Sequence, residues 1–290
     1  MTDLSRITVL GIGVLGSQIA FHTAYSGLDV VAYDVDEAAL EQARERLALL
    51  VPRYEGEVES AGEQGRARQA LERIRLTCDL TDAAGEADLV IESVPEQPAV
   101  KKDVLARLGA VAPAHTVFVT NTSALPLSAL ADSTGRPERF LALHFANLVW
   151  RHNIAEVMGT DRTDPEVYAD VVRFATRIGM VPIPLRKEKP GYVLNSLLMP
   201  LLKAAGELLT EDVADPAAVD DVWRIGTGAS YGPFEMLDII GLTTAHHIAA
   251  RGDAKQREFA RLIKERYIDK GKLGVATGEG FHCYPGDGGR

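Results

Sequence analysis

A chain of 290 residues is long enough for two ordinary domains, and its 46% hydrophobic and 25% charged residues are typical of a globular protein. The net charge of −10 argues against binding nucleic acid, because a polyanion is held by a basic surface. Two widely separated cysteines, Cys78 and Cys283, argue against a disulfide framework. The N-terminus and the apolar runs predict neither a signal peptide nor a membrane span, so we expect a cytoplasmic protein without a membrane partner.

The N-terminal part alternates short apolar runs with amphipathic stretches. Predicted strands cover residues 7–10, 30–33, 89–92, 116–120, 140–144, 154–158 and 181–184. The stretches between them predict helices at 15–25, 37–51, 99–111 and 165–178, the last beginning with Pro165 after an aspartate. This alternation indicates an α/β domain of the doubly wound Rossmann type, a parallel sheet with helices on both faces.

Residues 52–76 interrupt the alternation with a polar, charged segment that predicts more helix. Two interpretations stay open: a solvated pair of helices, or an arm that clamps a ligand.

Strand patterns stop at the segment 186–191, and the rest of the chain predicts helices. They cover residues 192–209, 216–224, 233–249 and 255–269. Four short helices cannot bury such apolar faces alone, so we expect a second, all-helical domain that packs on the first or on a partner subunit. The predicted division is 1–187 for the Rossmann domain and 188–290 for the helical domain.

A glycine-rich turn connects the first strand to the first helix. It has the spacing Gly-x-Gly-x-x-Gly and reads Gly11-Ile12-Gly13-Val14-Leu15-Gly16. One glycine allows the tight turn, the next lets a pyrophosphate approach the backbone, and the third lets helix and strand pack closely. The N–H groups at the start of the helix, including those of Val14 and Leu15, would face the phosphates.

An aspartate completes the dinucleotide pattern. Asp34 ends the second strand, where a carboxylate can accept hydrogen bonds from the adenosine ribose and repel a 2′-phosphate. We therefore expect NAD(H) as cofactor in preference to NADP(H), against the alternative of a tight turn with no ligand. Asp36 is a second candidate for the ribose, although its position before a helix favours a capping role.

A dehydrogenase needs a proton acceptor beside the carbon that gives up hydride, and histidine is suited to this near neutral pH. Of the seven histidines, His22 lies in the first helix and is expected to pack there. His144 ends a predicted strand, and ligands of α/β sheets gather at the carboxyl ends of strands. His152 precedes Glu156 by four residues, but in a strand without further ligands it does not predict a metal site.

Several motifs, in order along nearly the whole chain, resemble the 3-hydroxyacyl-CoA dehydrogenase family. They lie at residues 88–96, 121–126, 138–147, 155–158, 191–195, 232–238 and 272–281. The resemblance implies a catalytic pair of His144 and Glu156, with Ser123 and Asn195 around the reacting oxygen. It also implies that Glu96 and Lys101 lie near the nicotinamide half of the cofactor and that the chain forms a homodimer.

Departures from the family pattern leave the substrate open. Ala146 and Leu148 replace a common Phe and Pro, Ser196 stands where arginine is common, and the segment 52–76, which aligns with the family's CoA-holding arm, has no lysine. These departures make the chain look most like the diketoreductase branch, which reduces keto or diketo esters without CoA. Trp223 and Met236 could line an apolar substrate pocket or simply pack in a core or interface.

Three functions therefore remain as hypotheses. The first is an NAD-dependent interconversion of 3-hydroxyacyl and 3-ketoacyl compounds, on a small molecule that carries CoA. The second is the same reaction on CoA-free keto or diketo esters. The third, of a different class, is a non-catalytic NAD-binding protein.

Overall fold

The computed structural model describes residues 4–284 and divides into two compact units, which meet in the sequence between Val193 and Leu194. The predicted division after residue 187 stays a prediction. Within residues 4–284, no helix combines the length and the apolar character that crossing a bilayer requires.

An eight-stranded sheet forms the centre of the first unit. Its strands are β1 Ile7–Leu10, β2 Val30–Tyr33, β3 Ile74–Thr77, β4 Leu89–Glu92, β5 Val117–Thr120, β6 Phe140–Phe145, β7 Ile154–Met158 and β8 Val181–Leu185. They lie in the order β3-β2-β1-β4-β5-β6-β7-β8. The predicted Rossmann-type sheet is confirmed, with the chain reversing its direction of strand addition after β3.

The sheet departs from the predicted parallel arrangement at one edge. Strands β1 to β6 are parallel, but β7 pairs antiparallel with β6, and β8 runs parallel to β7. The physical reason is the short loop 146–153 between β6 and β7. A parallel connection needs a crossover of about a dozen residues or more, whereas antiparallel neighbours can be joined by a tight hairpin.

Helices cover both faces of this sheet. They are α1 Val14–Tyr25, α2 Glu37–Glu57, α3 Arg66–Glu72, α4 Leu80–Ala84, α5 Pro98–Val111, α6 Ser128–Ala131 and α7 Pro165–Arg177. Successive residues of a strand point to opposite faces, so Val9 lies in one hydrophobic core and Leu10 in the other. The predicted caps are confirmed: Asp36 accepts the N–H of Ala39, and Asp164 precedes Pro165 and accepts the N–H of Glu166.

The segment 52–76 contains both helix and strand. Helix α2 continues to Glu57, α3 follows, and the segment ends in β3, an edge strand that the sequence analysis missed. The burial of β3 is only partial, so its short sequence gives a weak strand pattern. The ring of Tyr54 is fully buried and lies 5.1 Å from that of Trp150, which anchors the end of α2 to the loop after β6.

The second unit is built of helices, as predicted, and within residues 194–284 its only β pairing is a pair of isolated bridges near the end. Its helices are α8 Leu194–Thr210, α9 Pro216–Thr227, α10 Pro233–Ile240, α11 Leu242–Ala249 and α12 Ala254–Arg266. The single helix predicted at 233–249 is wrong, because Gly241 adopts a φ of +91° and breaks it into α10 and α11. Met236 packs against the core of this unit, around Phe234 and Ile263, while Trp223 is half-buried.

Candidate active site

The glycine-rich turn has the close packing that its spacing predicts. Gly11 adopts a φ of +80°, and a Cβ atom there would lie 2.8 Å from the carbonyl oxygen of Ser93. A Cβ atom on Gly16 would overlap the carbonyl oxygen of Gly11. Both positions therefore need glycine for β1, the turn and α1 to pack together.

The middle glycine faces open space instead. A Cβ atom on Gly13 would meet nothing within 4 Å, and the side chain of Val14 is 68% exposed. The first hydrogen bond of α1 runs from the N–H of Ser17 to the carbonyl of Gly13, so the N–H groups of Val14, Leu15 and Gly16 have no acceptor within the helix. The open space at Gly13 and the unbonded N–H groups at the start of α1 fit the pyrophosphate of a dinucleotide.

Asp34 contacts the same turn. Its Oδ2 accepts the N–H of Ile12 at 2.9 Å, and its Oδ1 accepts the N–H of Val35 at 2.8 Å. Each carboxylate oxygen can accept a second hydrogen bond, so the half-exposed Asp34 can still bind ribose hydroxyls. Arg46, which the sequence analysis did not select, donates from Nη1 to the carbonyl of Ile12 at 3.0 Å. The N–H and the carbonyl of Ile12 are thus both hydrogen-bonded to side chains, those of Asp34 and Arg46.

His144 and Glu156 lie directly opposite each other on the antiparallel pair β6 and β7. Opposite residues of such a pair point to the same face of the sheet, which brings His144 Nδ1 to 3.0 Å from Glu156 Oε2. Both residues are buried, with 5% and 1% exposed. Because a carboxylate only accepts hydrogen bonds, His144 Nδ1 is the donor of this bond, and Nε2 is the ring nitrogen that remains for other partners.

Ser123 contacts the other nitrogen of the same ring. Its Oγ lies 3.2 Å from His144 Nε2. Three of the four predicted catalytic residues are therefore in direct contact, in the order Ser123, His144, Glu156. The fourth, Asn195, is the second residue of α8 in the helical unit, and its role stays a prediction.

The exposed Glu96 and the buried Lys101 belong to one ionic network beside the loop that carries Ser123. Lys101 is 1% exposed and donates from Nζ to Glu92 Oε1 at 2.7 Å, with Glu96 Oε2 at 3.4 Å. Glu96 Oε1 accepts the hydroxyl of Thr122 and the N–H of Ser123 at 2.6 and 3.0 Å. Burial raises the pKa of Glu96, but these hydrogen bonds and the charge of Lys101 bring it below its ordinary value. Glu96 is therefore ionised at neutral pH and holds the Ser123 loop.

Sequence reasoning missed two residues of this region. Glu92 ends β4 and joins Lys101 to the hydroxyl of Thr120, which donates to Glu92 Oε2 at 2.6 Å. An acidic residue closing an apolar strand was the available signal. The ring of Tyr192 lies parallel to that of His144, with 4.3 Å between centroids and 5° between planes. Tyr192 belongs to the 191–195 motif, but only Asn195 of that motif was assigned a role.

Among residues 4–284, no three His, Cys, Asp or Glu side chains come together as metal ligands would. His152 is exposed. His22 packs as predicted, with Nδ1 at 2.9 Å from the Tyr54 hydroxyl and Nε2 at 2.8 Å from the carbonyl of Ile178.

Comparison with known proteins covers both units. The family model for the NAD-binding domain of 3-hydroxyacyl-CoA dehydrogenase matches residues 6–189, and the model for the C-terminal domain of the same enzymes matches residues 191–284. Human mitochondrial hydroxyacyl-coenzyme A dehydrogenase is 32% identical, over 97% of this chain and 91% of its own.

Two solved structures match the chain over nearly its whole length. A diketoreductase, described as catalysing reactions of dicarbonyl compounds, is 59% identical with a TM-score of 0.95, over 98% of this chain and 100% of its own. The (S)-3-hydroxybutyryl-CoA dehydrogenase of Ralstonia eutropha is 28% identical with a TM-score of 0.81 and the same coverage. The chain therefore belongs to the 3-hydroxyacyl-CoA dehydrogenase family and is an NAD-dependent oxidoreductase that acts on a CH–OH group.

Proposed function

We propose that this enzyme interconverts a 3-hydroxyacyl and a 3-ketoacyl compound, with His144 and Glu156 as its acid–base pair. One observation carries the proposal: a buried histidine has a carboxylate on one ring nitrogen and a serine hydroxyl on the other. This arrangement suits proton transfer at Nε2, because Glu156 fixes the ring and stabilises the imidazolium that forms there.

The roles follow from the contacts. Gly11, Gly13, Gly16 and Asp34 would hold NAD(H), which would supply the hydride chemistry at the substrate carbon. In the oxidation direction His144 takes the hydroxyl proton on Nε2, and in reduction it gives a proton from Nε2 to the ketone oxygen. Ser123 donates a hydrogen bond to that oxygen, and Glu96 holds the backbone of Ser123 in place. Asn195 is proposed as a second donor to the oxygen.

CoA-free dicarbonyl compounds or keto esters are the second candidate for the substrate. The 59% identity to a diketoreductase favours them. The charges of the 52–76 arm point the same way. The guanidinium of Arg66 lies 4.8 Å over the ring of Tyr25, and Arg68 faces Glu55 at 3.7 Å, so two of its cations already have partners on the protein.

The experiment that tests the reaction is NADH oxidation with matched ketones. Acetoacetyl-CoA, an acetoacetate ester and a 3,5-diketo ester present the same 3-keto group with and without CoA. We expect turnover of at least one of them, and the ratio of kcat/KM between thioester and esters decides between the two substrate classes. If all three leave NADH unconsumed, the proposed reaction is wrong.

A homodimer through the helical unit is part of the proposal. Large apolar side chains on α8 and α9 face solvent in the single chain: Leu197 is 71% exposed, Val222 74% and Ile225 83%. Clusters of such side chains are typical of protein interfaces. Light scattering of the purified enzyme should give twice the mass of 31.3 kDa, and a monomer would contradict the proposal.

A further inference from the structure

Three consecutive residues between β8 and α8 each contact a different member of the Ser123, His144 and Glu156 group. The N–H of Gly191 donates to the carbonyl of Ser123 at 3.1 Å. The ring of Tyr192 stacks on the imidazole of His144, and the N–H of Val193 donates to Glu156 Oε1 at 2.8 Å. One short segment therefore holds all three groups of the proposed acid–base site.

The conformation of Tyr192 is costly. Its φ of +51° lies in the left-handed region, which a bulky L-residue rarely adopts and which costs on the order of 1–3 kcal/mol. Its side chain is 2% exposed, and its hydroxyl donates to the carbonyl of Thr122 at 2.7 Å. Burial and the nearby carboxylates raise the pKa of this phenol, so it keeps its proton and keeps donating. Strain of this kind persists where the surroundings enforce it, and it is concentrated at functional sites.

Parallel stacking at 4.3 Å acts on the imidazole in two ways. It fixes the plane of the ring, so that Nδ1 keeps facing Glu156 and Nε2 keeps facing Ser123. The electron-rich face of the phenol also attracts a cation more than a neutral ring, and this attraction strengthens out of water. It therefore favours the imidazolium, the form that each direction of the proposed reaction makes or consumes.

We propose that Tyr192 is a positioning residue of the active site, which orients His144 and stabilises its protonated form. This inference rests on the proposed role of His144. The charged groups around the stacked pair are Glu156 on β7, Glu92 on β4, Glu96, Lys101 on α5 and Glu188, which lies in the segment before Gly191. Their contributions are constant when the tyrosine alone is changed.

The test replaces the ring and then only its hydroxyl. Tyr192→Leu removes the aromatic face, whereas Tyr192→Phe keeps it and loses the bond to Thr122. Tyr168 is the matched control, because its hydroxyl also donates to a backbone carbonyl, that of Val157 at 2.8 Å, without touching His144. Thermal melting and NADH binding by fluorescence establish that each variant is folded and binds cofactor.

We expect Tyr192→Leu to lower kcat by about 10- to 100-fold at unchanged KM for NADH. Ketone reduction needs the imidazolium, so the alkaline limb of its pH profile should move down by about half to one pH unit. Tyr192→Phe should keep the wild-type profile, and kcat within about threefold, as should Tyr168→Phe. Nitrogen-15 spectra of the free enzyme should show the His144 proton on Nδ1 in the wild type and shared between both nitrogens in Tyr192→Leu.

Two outcomes overturn the inference. The first is a Tyr192→Leu enzyme with wild-type pH limbs and wild-type nitrogen-15 signals. The second is an equal loss in Tyr192→Leu and Tyr192→Phe, which would assign the effect to the hydroxyl. If Tyr192→Leu does not fold, pentafluorophenylalanine at this position keeps the ring's shape and reverses the charge of its face, and an unchanged pH limb then rejects the inference. Turnover by a His144→Ala variant would instead reject the proposed function, while the nitrogen-15 comparison still reports on Tyr192.

Discussion

The cofactor turn and the acid–base site are built from the chain in different ways. The turn lies within residues 7–36, where a strand, a glycine-rich connection, a helix and a second strand follow each other directly. The acid–base site collects Glu96, Ser123, His144, Glu156 and Tyr192 from separate segments of the first unit. A local motif can be recognised from its spacing, whereas an assembled site depends on which strands become neighbours.

Exposure separates the two regions as well. Gly13 faces open space and Val14 is exposed, while His144 and Glu156 are buried on the sheet. Backbone N–H groups bind phosphates at an accessible surface, but proton transfer gains from a dry environment in which charges interact more strongly. Substitutions in the buried site should therefore lower kcat, whereas substitutions in the turn should weaken or alter cofactor binding.

The largest effect should come from His144→Ala. Removing the general acid–base is expected to lower kcat by about 10³-fold, at an NADH affinity within about twofold of the wild type. Stopped-flow kinetics and NADH fluorescence measure the two quantities. His115→Ala is the control, because His115 pairs with Asp88 near the start of β5, away from the acid–base group. Retained turnover would remove His144 from the mechanism.

Glu156→Gln should have the next largest effect. The amide keeps the size of the side chain but not the charge that stabilises the imidazolium, so kcat should fall by about 10²-fold. NADH binding should again be unchanged. Glu166→Gln, an exposed change in the first turn of α7, controls for loss of a carboxylate from the same unit. Equal kcat values in the two variants would contradict the assigned pair.

A substitution beside the glycine-rich turn should change the choice of cofactor and leave turnover nearly unchanged. Asp34→Ser removes the carboxylate that repels a 2′-phosphate, and we expect the preference for NADH over NADPH to narrow by about tenfold. The kcat with saturating NADH should hardly change. Asp36→Ala is the control, since Asp36 caps α2 and should cost only about 1 kcal/mol of stability. If Asp34→Ser keeps the wild-type preference for NADH over NADPH, Asp34 does not bind the ribose.

The smallest effect is expected for Arg46→Ala. Losing the hydrogen bond from Arg46 to the Ile12 carbonyl should loosen the turn and weaken NADH binding by about three- to tenfold, without a change in the pH profile. Arg44 lies on the same helix but pairs with Glu41 at the surface, so Arg44→Ala is the matched control. Equal NADH affinities for the two variants would mean that Arg46 does not support the turn.

The fold predictions were correct for features that neighbouring residues determine, and they missed others. The sequence predicted strands β1, β2 and β4 and the caps of α2 and α7 correctly. Short apolar runs and capping residues act within a few positions of the chain, so they can be recognised locally. Strand β3 was missed, since a half-buried edge strand has a weak pattern. The break at Gly241 was missed because a glycine inside an apolar helical pattern does not reveal the sign of its φ angle.

The amino-acid sequence alone indicated the fold class, the dinucleotide turn and, through ordered motifs, the family. Through the resemblance to that family it also implied the pair of His144 and Glu156, with Ser123 beside it. The antiparallel pairing of β6 and β7, which places His144 opposite Glu156, is seen only in the folded chain. Glu92 and Tyr192 were found only in the tertiary structure, since their roles depend on contacts with Lys101 and His144. Short-range sequence patterns indicate the local backbone conformation. The contacts of a buried side chain depend instead on strand order and register, which are set by the whole fold.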